Sequence, residues 1–301
     1  MIIPPGKILA CVNGVIGPAE NATVSVLDRG HVFGDGIYEV VRVDKGRLHG
    51  IDRHWRRLER SLRALQLPSL DLELLRSQVD ATLAASGHSD AMVYLQVTRG
   101  TAPRAHAFPA DTPANTLILV QHFPDDKAAL REKGAGVITH PDLRWARCDI
   151  KSINLLGSVL AAEAAKRAGC VEAVLIREDG TVTECAHSSL FAVVDGVLRT
   201  HPLDHRILPG ITREIVLEIA AELGIPCRHK ALRSDELRGV EELFLTSTTA
   251  KVLPLVTLDG KAVGSGKPGP VTCKLRDGFE AWEKADALLT PATAALNAGE
   301  L

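Results

Sequence analysis

The chain has 301 residues with Lys+Arg 35 against Asp+Glu 37, a length that suits two domains, or one large one, with ample core. Near-neutral charge offers no field for nucleic acid or an anionic membrane, and no apolar run approaches the roughly 20 residues that span a bilayer. Cys11, Cys148, Cys170, Cys185, Cys227 and Cys273 show no C-x-x-C or zinc spacing, and Met1–Lys7 lacks the regions of a secretory leader. These features point to a soluble, cytoplasmic protein with reduced thiols and no metal.

Residues 7–50 read as short strands joined by turns. Ile8–Val12 runs into Asn13-Gly14, a strong hairpin signal, Val24-Ser25-Val26 alternates, and Val40–Val43 meets an Asp44-Lys45-Gly46 turn. Between them Asp28-Arg29-Gly30-His31-Val32-Phe33-Gly34-Asp35-Gly36-Ile37-Tyr38-Glu39 is too glycine-rich for a plain strand. Glycine there permits close approach of backbone to a ligand, although a purely structural loop explains it equally well.

A helix follows, with Ile51, Trp55, Leu58, Leu62 and Leu65 on one face and a stop before Pro68. Its other face carries Arg53, Arg56, Arg57 and Arg60. Such a run is usually solvated, but one member can turn inward and fork onto a phosphate. A second helix spans about 71–85, with Leu74, Leu75, Val79 and Leu83 inward and Gly87 just beyond. Met92–Thr98 alternates as a strand and enters a polar loop, Arg99 to His106, whose Arg104 and His106 can hold a carboxylate. Thr116–Val120 is another strand, and the segment 122–133 reads as a linker between an N-terminal domain, 1–121, and a larger one, 134–285.

The second half opens with a strand near Val137–Thr139 and reaches Arg147-Cys148-Asp149-Ile150-Lys151-Ser152-Ile153-Asn154. Here one lysine stands between a strand-like lead-in and an apolar helix marked by Leu155, Leu156, Val159 and Leu160, with Gly169 at its C-terminal end. Desolvation lowers an ammonium's pKa, and an unprotonated amine attacks carbonyls; a solvated surface lysine is the plain alternative. Strands follow at Val174–Ile176, Thr181–Glu184, Leu190–Val194 and Val197–Thr200, the last two joined by an Asp195-Gly196 hairpin. Leu208-Pro209-Gly210-Ile211-Thr212 then opens a helix with Ile215, Val216, Ile219 and Leu223 inward, whose free N–H groups favour an anion. Leu243–Leu245 leads into four hydroxyls, Thr246 to Thr249; Asp259-Gly260 marks another hairpin. A last helix carries Val271, Leu275, Phe279 and Trp282, and the tail 286–301 reads as frayed. Gly264-Ser265-Gly266-Lys267 only mimics a nucleotide loop: the first required glycine is missing and Pro268 replaces the Ser/Thr.

A reactive lysine, an arginine, a helix N-terminus, a hydroxyl-rich strand end and a carboxylate in an apolar strand together suit pyridoxal phosphate. That cofactor needs an anion site for its phosphate and a carboxylate that keeps its ring nitrogen protonated, so that the ring accepts the electrons of the broken Cα–H bond. The motifs Asp28-Arg29-Gly30, Phe33-Gly34-Asp35-Gly36, Tyr38-Glu39, Arg99-Gly100-Thr101 through Arg104 and His106, Cys148–Ser152, Thr183-Glu184, Leu208 with Gly210-Ile211-Thr212, and Thr246–Thr249 carry a resemblance over about residues 8–283. The chain resembles the fold-type IV (class IV) pyridoxal-phosphate enzymes, and among them most closely the bacterial D-amino acid aminotransferases.

The resemblance implies an α+β, two-domain fold with pyridoxal 5′-phosphate at the domain interface, and a homodimer with a shared active site. Lys151 would hold the cofactor as an internal aldimine and then carry the proton between Cα and C4′. Glu184 would pair with the pyridinium nitrogen, and Leu208 would pack on the ring. Arg57, the Ile211 and Thr212 amides, Ser247 and Thr248 would hold the phosphate. Tyr38 would bind the substrate carboxylate with Arg104 and His106 of a neighbouring subunit; Glu39 matches the motif without a role. The implied activity is transamination between D-amino acids of the D-alanine and D-glutamate type and 2-oxo acids such as 2-oxoglutarate or pyruvate. A branched-chain L-aminotransferase and an aminodeoxychorismate lyase share the lysine, so only the carboxylate-binding residues separate them; a non-catalytic binding protein would not retain both Lys151 and Glu184. Three departures stand out. Serine occupies position 189 where the family usually has asparagine, His187 brings an imidazole toward the cofactor's polar edge, and His31 replaces a more usual aromatic.

Overall fold

Asn13 and Gly14 both adopt positive φ, 48° and 87°, the backbone that matches a two-residue turn to the twist of its strands. They join β1 (Leu9–Val12) to β2 (Val15–Pro18) in a computed structural model that describes residues 8–289. Then come α1 (Arg29–Phe33), β3 (Gly36–Asp44), β4 (Arg47–Leu48), α2 (Ile51–Ala64), α3 (Leu72–Ser86), β5 (Ala91–Thr98) and β6 (Asn115–His122). The remaining elements are α4 (Ala128–Lys133), β7 (Ala135–Pro141), α5 (Leu156–Arg167), β8 (Glu172–Ile176), β9 (Val182–Cys185), β10 (Ser189–Val194) and β11 (Val197–Thr200). After these stand α6 (Ile211–Glu222), β12 (Cys227–His229), β13 (Glu242–Ser247), β14 (Lys251–Leu258), β15 (Lys261–Ala262) and α7 (Pro270–Leu289).

The chain divides into two units, which makes this a mixed α/β protein with two sheets. The first comprises the residues up to Pro124, Ile150–Asn154, and the chain from Ala285. Its sheet has the order β2-β1-β6-β5-β3-β4, antiparallel throughout. Leu75, Val79 and Leu83 of α3 are buried, and Asp71 caps that helix by accepting from the Leu74 amide at 3.0 Å.

The second unit comprises Asp125–Asp149 and Leu155–Lys284. Its nine-stranded sheet runs β12-β11-β10-β13-β14-β7-β8-β9, with β15 on β14. The pairs β14–β7, β7–β8 and β11–β12 are parallel. A core of Phe191, Phe244, Ile215, Val216, Leu275 and Phe279 packs α6 and α7 on this sheet, with the Phe191 and Phe244 rings stacked at 4.9 Å. The register of β9 against β8 slips: Val174 faces Cys185 while Ile176 faces Val182, so three steps on β9 oppose two on β8. One extra residue is therefore accommodated in β9, as in a β-bulge.

Several local expectations are corrected. Val24-Ser25-Val26 forms no strand and is exposed. The glycine-rich stretch holds a helix, α1, capped by Asp28, and its last four residues begin β3. Leu74 and Leu223 point outward, and the 122–133 segment holds α4. The lead-in to Lys151 is turns rather than strand. On α5, Leu156, Val159 and Leu160 are 75%, 56% and 59% exposed, and the helix packs instead through Ala161 and Ala165. Residues 286–289 are helical, and the rest of the tail, like Met1–Lys7, lies outside the described residues. Among the described residues no helix is long and apolar enough to cross a membrane.

Candidate active site

In the first unit β3 sets the geometry. Ile37, Glu39, Val41 and Val43 share its buried register, and Tyr38 faces the other way, where its ring stacks on Tyr94 at 5.5 Å. Residues 151–153 lie along the start of this strand. Tyr38 N–H donates to the Lys151 carbonyl at 2.9 Å and Ile153 N–H to the Gly36 carbonyl at 3.1 Å. A Cβ on Gly36 would stand 2.6 Å from the Val97 carbonyl oxygen on β5 and 3.0 Å from Ile153 Cδ1, so glycine lets the strand lie against both. The Lys151 ammonium consequently lies 4.2 Å from the centre of the Tyr38 ring, half-buried and held by its own backbone.

Glu39 is a carboxylate in an apolar register, and it has partners. His54 and Arg57, three apart on α2, share the helix face turned to it. Arg57 Nε donates to Oε1 at 2.8 Å and its terminal nitrogen to Oε2 at 2.7 Å; His54 Nδ1 lies 2.7 Å from Oε2. Burial pushes the Glu39 carboxyl up, but the Arg57 charge and hydrogen bonds, with His54, outweigh it and bring it down to about 2. Burial lowers the His54 imidazole, against the pull of Glu39 and with help from Arg57 and Lys151. Arg57 thus turns inward, oriented by a bidentate ion pair that the motif alone did not reveal. The one cue was Glu39 itself, a charge among core positions.

Arg104 and His106 sit exposed on the loop between β5 and β6, both close to one aromatic ring. The Arg104 guanidinium carbon is 5.2 Å from the Phe33 ring centre, and the His106 ring is 5.4 Å from it.

In the second unit Glu184 is buried on β9. The Arg144 guanidinium forms an ion pair with its Oε1 at 2.5 Å, and the Leu208 amide donates to the same oxygen at 3.1 Å. Arg144 is itself fixed by Asp142, at 2.9 Å from each carboxylate oxygen. Burial lifts the Glu184 carboxyl above its ordinary range against the charge and hydrogen bond of Arg144, which makes it a better acceptor for a proton on a ring nitrogen. Arg144 gave no sequence signal, because nothing in Asp142-x-Arg144 marks it apart from a surface pair. Cys185, next along β9, turns into the core, and burial raises its thiol well above the usual value.

Gly210 precedes α6 with no side chain capping the helix, and Ile211 and Thr212 are its buried first residues. A Cβ on Gly210 would stand 2.7 Å from Ser189 Oγ, and Ser189 pairs across the sheet with Thr246, beside Ser247. Amides and hydroxyls from three elements therefore converge. The Ser247 hydroxyl accepts from the Ala250 amide at 3.0 Å, while the buried Thr246 hydroxyl has no protein hydrogen-bond partner. Thr248 follows in the turn after β13. An uncapped helix start beside an orphaned hydroxyl, with a buried carboxylate held near Leu208, fits a phosphorylated pyridine. His187 is anchored elsewhere: its Nδ1 lies 2.9 Å from the buried Glu172, which also accepts from Ser188 Oγ at 3.0 Å.

Three relatives give this geometry a context. A D-alanine aminotransferase of Staphylococcus aureus is 40% identical over 285 residues, covering 92% of this chain and 98% of its own. One of Bacillus licheniformis is 42% identical over 263 residues, covering 86% and 92%. Among solved structures, the branched-chain amino acid aminotransferase of Escherichia coli superposes with a TM-score of 0.86 at 26% identity, covering 94% of this chain and 96% of that one. Residues 36–258 match the family described as amino-transferase class IV. The chain belongs to the class IV aminotransferases.

Proposed function

We propose that this enzyme transfers the amino group between D-amino acids and 2-oxo acids, of the D-alanine, D-glutamate, pyruvate and 2-oxoglutarate type, with pyridoxal 5′-phosphate. The observation that carries the D-amino acid reading is the placement of Arg104 and His106 together on one aromatic platform, where both can meet a carboxylate. Sequence relatives near 40% identity that are D-alanine aminotransferases support it. A branched-chain L-aminotransferase is the second reading, favoured by the 26%-identical structural neighbour.

Bound pyridoxal 5′-phosphate supplies the electron sink for bond breaking at the substrate Cα. Lys151 would hold it covalently, and the freed Lys151 amine would act as base and then acid for the proton that leaves the substrate Cα. Glu184, braced by Arg144, accepts from the ring nitrogen and keeps it protonated. The α6 amides of Ile211 and Thr212, the Ser247 and Thr248 hydroxyls and Arg57 hold the phosphate, and Leu208 covers the ring. Tyr38, Arg104 and His106 bind the substrate carboxylate. The protein acts as a cytoplasmic homodimer in which Arg104 and His106 enter the neighbouring subunit's site. The exposed apolar face of α5 and six free cysteines support that setting.

The test is spectroscopic. Purified yellow holoenzyme should lose its visible band on adding D-alanine and recover it with 2-oxoglutarate, whereas L-leucine should leave it unchanged. Lys151→Ala should show neither the band nor turnover. Bleaching by L-leucine alone would move the assignment to the branched-chain class.

A further inference from the structure

The segment that carries Arg104 and His106 has no apolar core of its own: Arg104 through Phe108 are all exposed. Yet two of its side chains must meet a substrate to within a fraction of an ångström. Something buried has to hold it, and the hydrogen bonds identify that group. Arg29, 3% exposed, donates from one terminal nitrogen to the carbonyls of Ala105 at 2.5 Å and Ala107 at 3.4 Å, and from the other to His106 at 3.3 Å. Three consecutive carbonyls therefore converge on one guanidinium.

That guanidinium is fixed from behind. Its Nε donates to Asp35 at 2.8 Å, and the same carboxylate receives Arg99 through two bonds, 2.8 and 3.1 Å. Arg99 is anchored on the Leu65 and Gln66 carbonyls at the end of α2, and its guanidinium lies 3.6 Å from the centre of the Phe108 ring. Phe33, one turn along α1 from Arg29, places its ring 4.7 Å from the Arg29 guanidinium as well as against Arg104 and His106. The loop's two limbs close at Gly100, where φ is +100° and a Cβ would stand 2.0 Å from the Pro113 carbonyl oxygen.

We infer that Arg29 is the positioning residue of the carboxylate-binding loop: it shapes the backbone at 105–107 so that Arg104 and His106 share the Phe33 ring, and it touches no substrate itself. A lysine is no substitute. One ammonium can meet Asp35 or the carbonyls, but it lacks the planar fork that reaches both. The inference rests on the carboxylate role proposed above for Arg104 and His106.

The experiment compares holoenzyme of wild type, Arg29→Lys, Arg29→Ala and Arg104→Ala with two probes. D-Alanine carries a carboxylate; O-methylhydroxylamine carries none and bleaches the yellow band by direct reaction. Both Arg29 variants should lose roughly 10²-fold in kcat/KM for D-alanine, mostly through KM, as does a reactant misplaced by about 1 Å. Their bleaching by O-methylhydroxylamine should stay within about twofold of wild type, and Arg104→Ala should show the same split. Should Arg29→Ala fail to fold, Arg29→Lys decides alone, because it keeps a cation beside Asp35. An Arg29→Lys enzyme with wild-type kcat/KM beside an impaired Arg104→Ala overturns the inference and leaves the carboxylate reading standing. An equal fall with both probes overturns it too, as a general lesion. An unimpaired Arg104→Ala sinks the carboxylate reading, and the inference goes with it.

Discussion

Glu39→Gln isolates the charge that organises the inner face of α2. The amide keeps the size and one acceptor oxygen of the carboxylate, but its NH2 group faces a donor on Arg57 and brings no countercharge to a buried guanidinium. Folding takes the carboxyl from 4.5 to about 2, which contributes about 3 kcal/mol at neutral pH. Breaking a buried ion pair from one side costs a similar amount, about 3–5 kcal/mol. The sign follows from proton binding. The folded carboxyl is the stronger acid, so the unfolded chain takes up the proton first as pH falls. The contribution is complete above the unfolded value and drains away as pH drops from there toward about 2. Urea unfolding of the apoenzyme at pH 7 should therefore place the variant about 3 kcal/mol below wild type, and the gap should narrow between pH 5 and pH 3. A loss under 1 kcal/mol at pH 7, or a gap that ignores pH in that window, would refute the assignment of charge to this cluster.

Arg144→Met should destabilise the apoenzyme by about 3–5 kcal/mol, since it leaves Glu184 buried without its countercharge. The double variant Arg144→Met/Glu184→Gln should recover part of that loss in the same urea titration, and strict additivity would show that the two side chains do not act as a pair. Co-expression of inactive Lys151→Ala with impaired Arg104→Ala should raise D-alanine turnover above that of either variant alone, because a mixed dimer would hold one site with both residues intact; no gain in verified mixed dimers would count against a shared site.

Much of the scaffold was legible because it rests on local chemistry. The Asn13-Gly14, Asp195-Gly196 and Asp259-Gly260 turns each take positive φ, and the first two join strands where the sequence places them. Helical periodicity located α2, α3, α5 and α6 but did not say which face of α5 is covered. There the large side chains form the more obvious stripe, and the buried contact is made by Ala161 and Ala165, which let the helix approach β8 closely. The strand β14 was hidden by Pro254, which lies where pairing with β13 gives way to pairing with β7. At the proposed site, Lys151 and Glu184 could be singled out because each residue type carries its own chemistry. Arg144, His54 and Arg29 act on groups 40, 15 and more than 70 positions away, and one-dimensional spacing holds no trace of such pairs.

The extra residue in β9 bears on how this enzyme can change over time. It lets Val182 and Cys185 both enter the core while Thr183 and Glu184, neighbours in sequence, both reach Arg144. A regular strand would send two successive side chains to opposite faces. Loss of one residue between Val182 and Cys185 would restore regular pairing and dismantle the Glu184–Arg144 pair proposed to meet the cofactor's ring nitrogen, although the sheet would remain well formed. Hydrophobic content would scarcely register such a deletion. Lineages that keep this chemistry should therefore conserve the length of the segment from Val182 to Cys185 more strictly than its composition, and a homologue one residue shorter there should retain the fold and lose the reaction.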